Sequence, residues 1–432
     1  MPQTERRPLF YGWVIVAVAL VMNLASSPAT AVTFGFFINP MRDDTGWSES
    51  QLVLGLTFRL AVAGVTSPFL GMLLDRLGSR VLGTVAALVA GASIMAVGLV
   101  HELWVFYLLY AISGLSGFGG PSGQLLTVVP VAKWFQVKRG KALSLATAGT
   151  PAGNLLLIPI AQLIIELWGW RTAWIVLGAI LALGAAPICA LLMRKDPESM
   201  GLTVDGLEAP PQPADTKKVA VVEDESWNVR EVMHSGIFWL LITATAFGGI
   251  VTQGTLVNRV PFWQDTGIDA GYVALGTALA PLLVVLSGLA CGVLADRFAV
   301  RLIGFGGGII AGVSALPMIF ARDSIMLLAV HNILWGIGQG ANNTMANVVW
   351  PAYFGRRFIG SIRGIIFPVS IGTAAMSAPL FAVLLAQLSE PRLAWVVTLA
   401  GFGLSGLLFL IAKPPLRRQA EVETEVQAVR TP

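Results

Sequence analysis

The sequence predicts an all-α membrane protein with twelve transmembrane helices arranged in two pseudo-symmetric six-helix bundles. Three observations lead to this fold class. The 432 residues are 55% hydrophobic and only 12% charged, whereas a soluble domain carries about 25% charged residues. Apolar runs long enough to cross a bilayer follow one another along the chain. The second half of the chain repeats the first at one constant offset.

Twelve apolar runs are separated by short turns that are charged or rich in Gly and Pro. At a rise of about 1.5 Å per residue, about 20 residues cross the hydrocarbon core as a helix. The runs cover approximately residues 11–37, 50–74, 81–100, 103–132, 141–166, 171–193, 236–258, 271–295, 302–320, 324–351, 359–388 and 392–412.

The basic residues predict the orientation of these runs. If the N-terminus is cytoplasmic, most of the 28 Lys and Arg residues, Arg363 included, fall in inner segments, and Arg259 is one of the few in outer segments. This bias predicts a multi-pass membrane protein with both termini cytoplasmic. The predicted domains are 1–193 (N-terminal six-helix bundle), 194–235 (cytoplasmic linker), 236–412 (C-terminal six-helix bundle) and 413–432 (cytoplasmic tail).

The composition also excludes several classes of function. A chain with so few charges must have lipid as its main solvent, so neither a soluble enzyme nor a nucleic-acid binder is expected. The three histidines are scattered, and neither paired carboxylates nor a metal-ligand spacing occurs. The glycines of Gly304–Gly308 lie inside an apolar run with no following Lys-Ser/Thr, so they predict close helix packing rather than a phosphate loop. We expect no cofactor and no metal.

The internal repeat is carried by matching residues that keep a single offset over long distances. The pairs are Pro40 and Pro261, Asp44 and Asp265, Gly71 and Gly292, Asp75 and Asp296, Arg76 and Arg297, Arg80 and Arg301, and Arg171 and Arg392. Internal duplication of this kind is typical of transporters. Arg59 breaks the symmetry, because the second copy has Ala280 at the matching position.

Arg59 lies about nine residues inside the second run, roughly 13 Å below the surface at the helical rise. A charge at that depth faces the protein interior or a water-filled cavity, and it indicates function by default. All the Asp and Glu residues lie in loops, termini or near helix ends, so the guanidinium is expected to attract an anionic substrate. The alternatives are a snorkelling arginine or one with a structural partner.

The tenth run is the most polar. His331, Trp335 and Asn342 fall on one helical face, and Asn332, Gln339 and Asn343 fall on the adjacent face. Asn23, Asn154 and Gln253 are further polar residues near the middle of other runs. All of these side chains are candidates for a central substrate site, and the alternative is that the amides join helices by hydrogen bonds. His331 could carry protons, because the reference pKa of histidine is about 6.5.

The motif Gly71-x-x-x-Asp75-Arg76-x-Gly78-x-Arg80 after the second run, with its second copy after the eighth, resembles the major facilitator superfamily over about residues 10–412. A narrower resemblance is to bacterial monocarboxylate-porter-like members. It rests on these segments: Phe10-Tyr11-Gly12-Trp13, Gly46-Trp47-Ser48, Lys133-Trp134-Phe135 with Arg139-Gly140, and Tyr353-Phe354-Gly355-Arg356-Arg357 with Gly360-x-Ile362-Arg363-Gly364.

This resemblance implies a secondary carrier of the bacterial cell inner membrane with alternating access. The motif charges would gate it: Asp75, Arg76, Arg80, Asp296, Arg297 and Arg301. A carboxylate at the inner end of a run can accept backbone N–H groups at the start of a neighbouring helix. In characterised relatives, an Asp and an Arg in the eighth helix hold the proton and the carboxylate. The corresponding segment of this chain, Tyr272–Ala295, contains neither residue type.

The expected function is therefore transport of a small organic anion such as a monocarboxylate. Coupling could use His331, a proton carried by the substrate, or exchange of one anion for another. The alternative within transport is a neutral or amphiphilic solute, such as a vitamin or drug, with Arg59 in a structural role. We do not expect a membrane sensor, because the linker and tail are short and polar. We expect a monomer whose partners are its substrate, the lipid bilayer and possibly protons.

Overall fold

The computed structural model describes residues 10–118, 123–206, 226–320, 324–387 and 392–415. Within these ranges the regular structure is helical, and the helices form twelve passes in two sets of six, which confirms the predicted fold class. Eight helical stretches of the described part are long and apolar enough to cross a membrane by themselves.

The six spans of the first half follow the predicted order. Their helices are Gly12–Ala25 and Ala31–Thr45 (span 1), Glu49–Leu77 (span 2), Ser79–Val97 (span 3), Leu103–Leu115 and Gly123–Trp134 (span 4), and Arg139–Thr147, Gly149–Ala179, a π-helical turn Ile180–Ala185 and Ala186–Leu192 (spans 5 and 6). Gly169, with a φ of 82°, separates span 5 from span 6. Left-handed backbone of this kind favours glycine.

The second half repeats this arrangement. Its helices are Gly236–Asp265 (span 7), Ala270–Ala295 (span 8), Val300–Val313 and Leu316–Ile319 (span 9), Ile325–Phe354 (span 10), Ile359–Gln387 (span 11) and Leu393–Ile411 (span 12). Between the halves lie two short 3-10 turns, Glu198–Met200 and Val204–Gly206, and the helix Val229–His234.

Two arginines lie elsewhere than expected. Span 7 continues past its predicted end near residue 258 to Asp265, because Val260, Phe262 and Trp263 keep its buried face apolar. Arg259 is therefore inside the helix and only 6% exposed, so its predicted place in an outer segment is wrong. Arg363 is likewise 4% exposed within span 11 rather than in an inner loop.

The halves meet closely at the end of the bundle that carries Asp75 and Asp296, here called the Asp75 end. Span 2 packs against span 11, and span 8 packs against the start of span 5. A Cβ atom on Gly71 would lie 2.2 Å from the carbonyl oxygen of Gly360, and one on Gly140 would lie 2.2 Å from that of Gly292. The motif glycines therefore allow backbone-to-backbone contact between the halves.

The buried apolar core also differs between the two ends of the bundle. Second-half residues that join the core of the first half, including Met345, Trp350 and Phe354, lie toward the Asp75 end. At the opposite end, Trp263 and Trp395 belong to a separate cluster of the second half. The described residues thus share a core across the halves at one end of the protein.

The segment between the halves is fastened to both of them. Arg356 of the second half pairs with Glu198 at 2.5 Å. Asp205 accepts hydrogen bonds from the backbone nitrogens of Gln136, Val137 and Lys138 at 2.8, 2.7 and 3.2 Å. These contacts hold the segment against the Asp75 end of the bundle.

Candidate functional site

A central cavity of about 480 Å³ lies between the two halves. Both halves contribute to its wall, through Asn23 and Gln124 on one side and Gln253, Gln339, Asn342 and Asn343 on the other. Five predicted site residues are therefore brought together at one cavity: Asn23, Gln253, Gln339, Asn342 and Asn343. Their role in binding stays a prediction.

The described wall of this cavity is polar but carries no ionised side chain. Besides the amides it contains hydroxyl groups, from Ser26, Thr30, Thr150, Thr245, Thr252, Ser370, Thr373 and Ser405. Such a wall offers both donors and acceptors to a solute. A bound anion would therefore be held here by neutral hydrogen-bond donors.

Some of the amides also join helices, as the alternative reading expected. Asn23 donates from Nδ2 to the carbonyl oxygen of Ala146 at 2.9 Å and accepts at Oδ1 from the hydroxyl of Thr127 at 3.1 Å. Gln339 donates to the hydroxyl oxygen of Thr252 at 2.9 Å. These bonds fix the orientation of amides that face the cavity.

Five other predicted residues are absent from the described cavity wall. Asn154 lies next to it and accepts a hydrogen bond of 3.4 Å from the hydroxyl of Thr30. His331 and Trp335 are buried further along span 10, away from the Asp75 end. Asn332 lies beside them, and its Nδ2 donates to the carbonyl oxygen of Leu328 at 3.0 Å.

Arg59 is the fifth of these residues. It is 4% exposed on the buried face of span 2, so it is neither a snorkelling side chain nor a loop residue. Its guanidinium donates to the carbonyl oxygen of Phe118, where the first helix of span 4 has ended. The second helix of span 4 begins at Gly123 and brings Gln124 to the cavity.

Arg363 was not among the predicted site residues. It lines a smaller cavity of about 140 Å³ that shares Gln124 and Ser370 with the central one. The guanidinium donates to Oδ1 of Asn347 at 2.7 Å and lies 5.4 Å from the ring centre of Phe367. Its position four residues inside an apolar run was the signal that could have identified it.

Arg259 is the second cation that the sequence interpretation missed. Its guanidinium carbon lies 5.4 Å from the ring centre of Trp335, and its side chain is buried in the second half. The apolar residues on both sides of Pro261 were the signal, because they continue the seventh run beyond this arginine.

At the Asp75 end, each motif carboxylate contacts the start of a helix in the other half. Asp75 accepts hydrogen bonds from the backbone nitrogens of Gly360 and Ser361, at 3.3 and 2.8 Å, and from the Ser361 hydroxyl at 2.8 Å. Nζ of Lys133 lies 3.0 Å from Oδ1 of Asp75, and both side chains are only 9% exposed. This is the geometry expected of the motif, while the gating role stays a prediction.

Asp296 makes the equivalent contact. Its carboxylate accepts from the backbone nitrogens of Gly140 and Lys141 at 2.6 and 3.1 Å. Burial raises the pKa of Asp296 above the ordinary value, and the two backbone hydrogen bonds oppose that rise. The motif arginines lie around these contacts: Arg76, Arg80 and Arg297 are exposed, and Arg301 is half-buried.

Among the described residues, no group of three or more His, Cys, Asp or Glu side chains could hold a metal ion. The site is thus built from amides, hydroxyls and nearby buried arginines, and the described wall of the central cavity contains no carboxylate.

The chain is similar to known membrane transporters. It is 25% identical to the oxalate:formate antiporter of Oxalobacter formigenes over 290 residues, which cover 65% of this chain and 63% of that protein. It is 28% identical to monocarboxylate transporter 11 of Mus musculus over 66% of this chain and 60% of that protein. It is also 24% identical to monocarboxylate transporter 12-B of Danio rerio, over 83% of this chain and 77% of that protein.

The chain thus spans less than two thirds of the antiporter and of the mouse protein. Among solved structures, a double-tryptophan mutant of XylE superposes with a TM-score of 0.75 at 13% identity, covering 96% of this chain and 99% of that one. The human organic anion transporter MFSD10 superposes with a TM-score of 0.66 at 14% identity, covering 94% of this chain and 100% of that one. The sequence matches one family over residues 18–371 and again over 264–432, and the chain belongs to the Major Facilitator Superfamily.

Proposed function

We propose that this chain is a secondary active transporter that moves a small organic anion of the monocarboxylate class across the bacterial inner membrane. Residues 1–193 and 236–412 are the two moving halves, joined by the linker 194–235, with both termini and the tail 413–432 in the cytoplasm. The protein acts as a monomer. The halves tilt around the central cavity so that it opens alternately to each side.

One observation carries this proposal: the halves are joined by reversible polar contacts at one end, while a solute-sized cavity lies between them. Asp75 and Asp296 each hold a helix start of the opposite half. Hydrogen bonds to backbone N–H groups form and break without rearranging either half internally. Such contacts suit a gate that closes one side of the cavity at a time.

The organic-anion class is supported by the relatives, which are named as an oxalate:formate antiporter and as monocarboxylate transporters. Buried arginines are the groups in this chain that could select an anion, since a guanidinium matches a carboxylate in shape and charge. Coupling is either to protons or to exchange of one anion for another.

Transport assays in proteoliposomes test this proposal. Vesicles that contain the purified chain are loaded with unlabelled formate, acetate or oxalate, and uptake of the same labelled anions is measured with and without an inward proton gradient. Exchange predicts that internal anion accelerates uptake, and symport predicts that the proton gradient does so. Asp75→Asn is the impaired control. If the wild type takes up no more of any anion than this variant does under both conditions, the anion class is excluded.

A neutral or amphiphilic solute is the second candidate. The described wall of the central cavity favours it, because that wall holds amides and hydroxyls rather than charges. A thermal-shift screen of the purified protein separates the two, since a ligand stabilises the state that it binds. Stabilisation by neutral vitamins or sugars, with no response to organic acids, would favour the second candidate.

A further inference from the structure

The second half contains a buried arginine whose donors have no assigned role. The side chain of Arg259 is 6% exposed, and its guanidinium lies over the ring of Trp335. Its Nε and Nη1 atoms are buried and have no hydrogen-bond partner among the described residues. Buried cationic donors without hydrogen-bond partners are costly, whereas a carboxylate oxygen would accept a charge-assisted hydrogen bond from either nitrogen.

His331 lies against the same tryptophan. Its ring centre is 6.1 Å from that of Trp335, and the two rings are nearly parallel. Nδ1 lies 2.7 Å from the carbonyl oxygen of Ser314. Because a carbonyl oxygen can only accept, Nδ1 carries the proton, and Nε2 of the neutral ring is an acceptor. Nε2 is buried and has no partner in the described part of the chain.

A third buried polar atom lies on the same face of span 7 as Arg259. Thr255 is one helical turn from Arg259 on the same face of span 7 and is 1% exposed, and its hydroxyl also has no partner among the described residues. Span 7 therefore supplies donors, and span 10 supplies an acceptor, to one buried region beside Trp335.

Span 10 contributes residues both to this region and to the central cavity. Asn342 lies on the cavity wall, about three turns from His331 on the same helical face. Eleven residues of helix correspond to about 16 Å at the usual rise. One face of span 10 therefore carries polar groups of both regions.

We propose that Arg259, His331 and Thr255 form a second anion site, for a carboxylate that carries an adjacent hydrogen-bond donor. The carboxylate would accept from the guanidinium of Arg259, and the adjacent donor would bond to Nε2 of His331. A 2-hydroxycarboxylate or a dicarboxylate with one proton has this chemistry, and a simple monocarboxylate lacks the second group. The site rests on the proposed anion transport and narrows its substrate class.

Binding of glycolate and acetate to the purified full chain, measured by calorimetry, tests the site because the two anions differ by one hydroxyl group. We expect wild type to bind glycolate at least about fivefold more tightly than acetate. Arg259→Gln should weaken binding of both anions by about tenfold or more. His331→Phe should remove the preference for glycolate while retaining acetate binding.

Arg392→Gln is the matched control, because it removes an exposed positive charge from the same half, and it should bind both anions as wild type does. Arg259→Lys keeps the charge without the fork and provides a second variant if Arg259→Gln fails to fold.

Equal binding of glycolate and acetate by wild type, or unchanged binding by a folded Arg259→Gln or Arg259→Lys, would overturn the site. In either case anion uptake in proteoliposomes would still support the proposed function. Absence of uptake of every anion would instead reject the proposed function itself.

Discussion

The carboxylate of Asp75 and the residue Ser361 belong to opposite halves of the protein, and Oδ2 of Asp75 lies 2.8 Å from both the backbone nitrogen and the hydroxyl of Ser361. The equivalent carboxylate, Asp296, lies 2.6 Å from the backbone nitrogen of Gly140. In both cases a carboxylate lies at the first turn of a helix, where the helix dipole offsets part of the cost of burying its charge. The duplicated motif thus produces two pseudo-symmetric contacts between the halves.

We expect Asp75→Asn to leave membrane insertion intact and to slow transport by about tenfold. The substitution keeps the size of the side chain but removes the charge that Lys133 and two backbone N–H groups share. Hydrogen bonds to charged groups contribute about 1.5–3 kcal/mol each, so the closed arrangement loses part of its stability. Initial rates of exchange in proteoliposomes, corrected for the amount of protein inserted, measure this effect.

Asp43→Asn is the control for this variant. Asp43 is a 71% exposed carboxylate paired with Arg42 at the opposite end of the bundle. Exposed ion pairs contribute little, about 0–1 kcal/mol, so its loss should leave turnover near that of wild type. Wild-type turnover of Asp75→Asn at normal insertion would refute a gating role for this carboxylate.

We expect Gly71→Ala to block closure of the Asp75 end. The added Cβ would lie 2.2 Å from the carbonyl oxygen of Gly360, and neither backbone can withdraw without separating span 2 from span 11. Transport should fall to near background, although alanine favours an isolated helix by about 0.5–1 kcal/mol over glycine. Gly306→Ala is the matched control, because nothing lies within 4 Å of its Cβ position. Similar transport by the two variants would contradict the proposed closure.

Acidification should favour the closed arrangement through Asp296. Burial raises its pKa in this arrangement, whereas a carboxyl group in water has a pKa of about 3.9. The proton is therefore bound more tightly when the end is closed. Protonation of Asp296 therefore stabilises the closed arrangement fully at a pH below the ordinary carboxyl pKa. This stabilisation is lost as the pH rises through the raised pKa of Asp296.

Labelling of a cysteine introduced at Ser67, which is buried where the halves meet and bonds to the carbonyl oxygen of Gly364, measures this closure. Labelling should decrease as the pH falls toward the acidic range. The decrease should disappear in Asp296→Asn. A pH response that is identical in that variant would assign the effect to another group.

The fold followed from the sequence because each span must satisfy its backbone hydrogen bonds internally in lipid, so an apolar run of sufficient length implies a helix. The repeat, in which Gly71 and Asp75 recur as Gly292 and Asp296, predicts two equivalent carboxylate contacts with helix starts. The structure shows that each helix start belongs to the other half. The ends of the helices were harder to predict from the sequence. The predicted seventh run ends near residue 258, whereas span 7 continues to Asp265. The burial of Arg259 against Trp335 is a property of the assembled bundle.

The site was predictable only in part for the same reason. Asn342 and Asn343 reach the central cavity as their helical positions suggested. His331 and Trp335 share the helix but face a separate buried region of the second half. Helical periodicity assigns residues to a face, but the neighbouring helices decide what that face contacts.

Arg59 provides a final prediction, in which binding and stability can be separated. If the guanidinium attracts the anionic substrate, Arg59→Gln should raise the KM for the transported anion by about tenfold. The same change leaves the buried carbonyl of Phe118 with one donor fewer, so the free energy of unfolding should also fall, by about 1–3 kcal/mol. Arg42→Gln removes a half-exposed charge from the same end of the bundle and should change neither quantity. Thermal unfolding without ligand measures the structural part, and the additional stabilisation by saturating anion measures binding. A variant that unfolds more easily but keeps the wild-type KM and the full anion-induced stabilisation would assign Arg59 to supporting the break in span 4, and anion recognition would then depend on the arginines of the second half.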